Sequence, residues 1–149
     1  MMLLSDLYEE QKIAYQAMLE VSHNQLVWAS KKDHDDYSFA QFQALLDKRQ
    51  NLINQIDQLI LKIRDLQVEL RLEGGSTAAE SEKIRQYNDL LMSLATNIKA
   101  KDDECDIIIK SKLDKMTKKI GNLKKNQTAA KAYVPQHYQD EGFFYDHRK

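Results

Sequence analysis

The residue types that could do chemistry are present in this chain, but their spacing does not assemble them. The four histidines, His23, His34, His137 and His147, are dispersed, and a histidine base needs a partner within hydrogen-bond reach. They read as exposed polar side chains. Cys105 is the single cysteine, which excludes an intramolecular disulfide, and no CxxC or Cys/His cluster suggests a structural zinc. With no histidine near it in sequence to activate the thiol, Cys105 reads as a small core residue. Asp102, Asp103, Glu104 and Asp106 form an acidic cluster. Contiguous carboxylates on a helix fan around it instead of converging on a cation, so the cluster reads as a solvated face or a helix-restart signal. P-loop, GxGxxG, HExxH and GxSxG patterns are all absent. The expectation is a protein that is not an enzyme and takes no metal and no cofactor.

Binding chemistry is better represented. The segment from Lys115 to Lys131 carries six lysines and no acid, which suits either a helix C-terminus or docking onto an acidic partner. From Tyr133 to Lys149 the chain reads YVPQHYQDEGFFYDHRK, with the only proline and five of the twelve aromatic residues. Pro135 disfavours helix at Val134, so these aromatics fall on an extended arm that either docks or offers an epitope. Arg49 interrupts an apolar seam, where it acts as a register-setting group or partner contact, or packs its stem and snorkels.

Helices must position these groups. Only four glycines and one proline punctuate 149 residues, too little turn chemistry for a many-stranded sheet. Phe42, Leu45, Arg49, Leu52, Ile56, Leu59, Ile63, Leu66 and Leu70 recur at alternating spacings of three and four, a sustained heptad seam. Leu46, Ile53 and Ile60 widen it, so this helix faces more than one neighbour. Ser38 with Gln41 forms a capping-box pattern at its start. Gly74 and Gly75 stop it, and Thr77 with Glu80 restarts the chain as a helix, a short connection that makes neighbours antiparallel.

The first helix is weaker, with Leu4, Leu7, Ala14, Met18, Val21 and Trp28 in register and Gln11 and Gln25 filling two seam positions. The third runs through Ile84, Tyr87, Leu91, Leu94 and Ile98, then Cys105, Ile109, Leu113, Met116, Ile120 and Leu123. Lys101 sits in the seam and the following steps run four and four, a stutter that predicts a bend or break near Asn97 to Asp103. The fold class is therefore all-α: an elongated antiparallel bundle of three long helices over about 3–31, 38–73 and 78–132. Residues 1–132 form the bundle and 133–149 an extended aromatic C-terminal tail.

A formal charge of −1 draws the chain toward neither nucleic acid nor an anionic membrane as a whole. No apolar run approaches spanning length, and the start lacks a basic n-region, so no membrane insertion and a cytoplasmic location are expected.

Two stretches carry a family resemblance. FQALLDKRQNLINQIDQL, residues 42–59, is similar to a Leu-Leu, Arg, Leu-Ile signature on a second helix. At the end, a basic helix leads into AAKAY (129–133) and GFFYDHRK (142–149). Together they resemble the flagellar type III export chaperones that escort hook-associated and filament-cap proteins, the FlgN and FliT group. The resemblance implies a cytoplasmic chaperone that binds the C-terminal amphipathic segment of such a secreted protein before export, with the export apparatus as a further contact. By position it assigns client binding to Ile109, Leu113, Met116, Ile120 and Leu123, and to Tyr133, Phe143, Phe144 and Tyr145 on the tail.

An amphipathic client helix needs an uncovered apolar stripe to lie against, and a third helix longer than the second would leave one. The competing reading is a homo-oligomeric coiled-coil structural or adaptor protein, a homodimer in its simplest form, in which the same stripe self-associates. A small-molecule or metal site inside the bundle lacks the inward carboxylate and histidine pairs that it would need.

Overall fold

The computed structural model describes residues 3–75 and 77–133, and all the regular structure among them is helical: α1 (Leu4–Ala29), α2 (Asp36–Leu72) and α3 (Ala78–Tyr133). Local chemistry sets each boundary. The Asp6 carboxylate accepts the Leu3 N–H at 3.1 Å and occupies a donor that the first turn leaves free. At the other end of α1, the Ser30 N–H and hydroxyl both donate to the Leu26 carbonyl.

α2 starts before the expected Ser38 cap. The Asp35 carboxylate accepts the Ser38 N–H at 2.8 Å, while the Ser38 hydroxyl lies 2.7 Å from His34 Nδ1. The Ser38 hydroxyl is thus engaged by His34 four residues back, and the nearby aspartate caps the helix instead.

α2 ends in a Schellman motif. The Gly75 N–H reaches the Leu70 carbonyl at 2.8 Å and the Gly74 N–H the Arg71 carbonyl at 3.4 Å. Gly74 and Gly75 sit at φ of 108° and 87°, where a side chain would be strained. Thr77 Oγ1 then accepts the Glu80 N–H at 3.1 Å and opens α3.

α3 is one uninterrupted helix, so of the bend or break expected near Asn97 to Asp103 the break does not occur. A stutter shifts which side chains face the seam but removes no backbone hydrogen bond. The segment holds no glycine or proline, and Lys99 pairs with Asp103 at 3.0 Å across one turn.

The contacts divide the chain after Ile108. In the first unit α2 runs antiparallel to α1, with Gln67 near Tyr8 and Arg49 near Ser22. The α3 segment of this unit runs parallel to α1, because Tyr87 meets Tyr8 and Cys105 meets Gln25. Leu4, Leu7, Tyr8, Ala14 and Met18 of α1, Ile56, Leu59 and Ile63 of α2, and Leu91 and Ile98 of α3 form the core. Both seam glutamines, Gln11 and Gln25, are buried with them. The second unit contains residues 109–133 of α3. The tail from 134 onward, with its expected extended form, lies outside the described residues.

Candidate functional site

Three polar or aromatic clusters join helices of the first unit. At one end Tyr8 and Tyr87 stack with centroids 5.8 Å apart, Gln67 Nε2 donates to the Tyr8 hydroxyl at 3.2 Å, and the Tyr87 hydroxyl donates to Glu9 at 2.8 Å. The bond to Glu9 pushes the Tyr87 hydroxyl above its ordinary value of 10.0. Glu9 is held below 4.5, first by its bond to Lys12 and then by Tyr87.

The signs follow by linkage. Tyr87's contribution is complete below the unfolded tyrosine value and fades as pH rises through the higher folded one. Glu9's is complete above the unfolded carboxylate value and fades as pH falls through the lower folded one. Tyr87→Phe is therefore expected to lower the thermal midpoint at neutral pH, with the gap to wild type narrowing below about pH 4. A gap that stays constant from pH 3 to pH 7 would refute the assignment.

Midway along, a polar layer crosses the bundle. The Arg49 guanidinium donates to both carboxylate oxygens of Asp102, Nη1 to Oδ1 at 3.0 Å and Nη2 to Oδ2 at 2.6 Å. Its Nη1 also reaches Ser22 Oγ at 2.9 Å and Gln25 Oε1 at 3.1 Å. One residue from the expected solvated acidic face is thus a structural partner, and the seam arginine does not simply snorkel. Beside the layer Cys105 is buried, its Sγ 3.7 Å from the Gln25 carbonyl, and burial foremost, then Asp106 and Asp102, pushes its thiol up. A neutral, covered thiol is a poor nucleophile. Thiol reagents at neutral pH are expected to modify native Cys105 at least ~10-fold more slowly than the unfolded chain, as a timed alkylation would read.

The third cluster closes the corner between α1 and α2. Trp28 stacks on His34 at 3.9 Å and on Phe42 at 4.2 Å, meets Phe39 edge-on, and donates Nε1–H to the Ser38 carbonyl at 2.8 Å. His34 is therefore not the exposed polar side chain its sequence setting suggests, and its Nε2 is buried without a hydrogen-bond partner. His23 is exposed, with Nδ1 3.4 Å from Lys101 Nζ. His137 and His147 lie outside the described residues.

None of these clusters offers a reactive group an open site. Among the described residues no group of three or more His, Cys, Asp or Glu could hold a metal ion, and no helix is long and apolar enough to cross a membrane. One apolar cleft was missed by sequence reasoning. It measures 220 Å³ and is lined mainly by Leu3, Leu4, Leu66, Leu70 and Ile84. Its only sequence signal is the convergence of Leu66, Leu70 and Ile84 on the glycine turn.

The expected binding residues lie on the second unit's helix. Leu113, Met116, Ile120 and Leu123 are 55%, 59%, 51% and 53% exposed, and Ile109 is half-buried. Earlier on the same helix Leu91, Leu94, Ile98 and Cys105 occupy equivalent seam positions and are all buried. With successive residues turning by about 100°, Ile109, Leu113, Met116, Ile120 and Leu123 fall within an arc of roughly 80°, one continuous stripe. The stripe carries no titratable or nucleophilic side chain, so its chemistry is apolar recognition. Tyr133 ends α3, and nothing further is described of its side chain; Phe143, Phe144 and Tyr145 fall outside the described residues.

No protein-family model, curated protein or solved structure matches this chain.

Proposed function

We propose that this chain is a cytoplasmic export chaperone of the flagellar type III kind, binding the C-terminal amphipathic segment of a hook-associated or filament-cap protein before secretion, without catalysis. The observation that carries the proposal is the half-exposed stripe of Leu113, Met116, Ile120 and Leu123 on a helix whose earlier seam residues are buried. Covering each of these side chains would contribute on the order of 1 kcal/mol, since about half of the ~1.5–3 kcal/mol for complete burial is still available. Four of them support a reversible complex rather than a permanent one, as a chaperone that must release its client requires.

Titration with C-terminal fragments of hook-associated and cap proteins, followed by calorimetry, tests this reading. Saturable binding in the micromolar range is expected. No heat at high micromolar concentration, together with a dimer that survives nanomolar dilution in light scattering, would replace the chaperone by the self-associating coiled coil.

A further inference from the structure

We infer that the helix seated on the distal α3 stripe is an acidic one, carrying Glu or Asp on both flanks of its apolar seam, and that a second copy of this chain is excluded from the same face. This rests on the proposed function, which takes the stripe to be a helix-binding face. The spacing of Leu113, Met116, Ile120 and Leu123 sets a heptad with Leu113 and Ile120 at a and Met116 and Leu123 at d; Ile109 is the preceding d. The e positions are then Lys110, Thr117 and Lys124, and the g positions Lys112, Lys119 and Asn126. Every charged residue flanking the seam is a lysine. The one acid of the stretch, Asp114, falls at b, away from the seam.

Charges at e and g decide which helix a seam accepts. In a parallel homodimer g would face e′, and in an antiparallel one g would face g′ and e would face e′. Both arrangements set lysine against lysine, so self-pairing through this face is repulsive in either direction. A partner with carboxylates at e and g meets Lys110, Lys119 and Lys124 instead. An anionic membrane would also attract the lysines, but a helix lying in a bilayer presents a broad apolar face with large aromatics. Here the stripe is narrow and wholly aliphatic or methionine, the form of a coiled-coil seam.

Two synthetic four-heptad peptides with leucine at a and d test the inference, one with glutamate and the other with lysine at every e and g. Neither pairs well with itself, so they differ only in the sign that they present. With the full-length chain at low salt, fluorescence anisotropy is expected to give at least ~10-fold tighter binding for the glutamate peptide, a gap that shrinks as salt screens the charges. The triple variant Lys110→Glu, Lys119→Glu, Lys124→Glu, with unchanged circular dichroism, should reverse the preference.

Equal binding of both peptides would overturn the inference while leaving the helix-binding face intact. Binding of neither would bring down the face itself, and the inference with it. Binding of phosphatidylglycerol vesicles that the triple variant loses, with no discrimination between peptides, would transfer the lysines to a lipid surface and overturn the proposal.

Discussion

Arg49→Ala is expected to be the most destabilising single change outside the apolar core, costing about 2–3 kcal/mol and several degrees of thermal midpoint. The substitution removes the cation that meets Asp102 in the polar layer and strips a donor from Ser22 and Gln25, which are 0% and 7% exposed. Breaking a fully buried pair costs ~3–5 kcal/mol. The side chains of Arg49 and Asp102 are 25% and 30% exposed, so water recovers part of that loss. Urea denaturation of Arg49→Ala, Asp102→Ala and the double variant should give a coupling energy on the order of 1–2 kcal/mol. Single variants within ~0.5 kcal/mol of wild type would class the pair as a screened surface contact.

The same layer specifies how the helices align. Its members come from all three helices, so sliding α3 by one heptad would place Ala95 or Ile109 opposite Arg49 and leave the guanidinium without its carboxylate. Arg49→Met with Asp102→Leu is accordingly expected to be more stable than either single alanine variant while populating more than one register, visible as broadened amide resonances. Sharp, single resonances in that variant would show that apolar packing alone sets the alignment.

Met116→Gln with Ile120→Gln should have the opposite profile. Both residues are more than half exposed, so stability is expected to stay within ~0.5 kcal/mol of wild type, because surface substitutions seldom do more. Glutamine keeps good helix propensity and adds no charge, which leaves circular dichroism unaltered. Client binding should fall by roughly 30-fold, since the two side chains each contribute on the order of 1 kcal/mol on being covered and 1.4 kcal/mol is a factor of ten. A variant that melts several degrees lower would show that these side chains support the fold, and one that binds normally would remove the stripe from the site.

Much of the architecture was legible because helix periodicity is a local property. The seam from Phe42 to Leu70, the glycine stop at Gly74 and Gly75 and the Thr77 cap each depend on residues within a few turns of one another. The identity of the apolar stripe from Ile109 to Leu123 was readable for the same reason. The Asn97 to Asp103 segment left a break open, because a loss of seam register resembles a loss of helix when only side-chain types are counted, and the helix runs through it unbroken.

What the sequence determined by itself was therefore the element type, the approximate ends of the helices and which side chains share a face. Tertiary structure decided which faces are covered. Leu94 and Leu113 are the same residue at comparable seam positions, yet one is 8% exposed and the other 55%. Arg49 finds Asp102 fifty-three residues away, and His34 is covered by Trp28 across a corner. Burial and pairing depend on what another helix brings alongside, and that proximity is not carried by the spacing of residues along one chain.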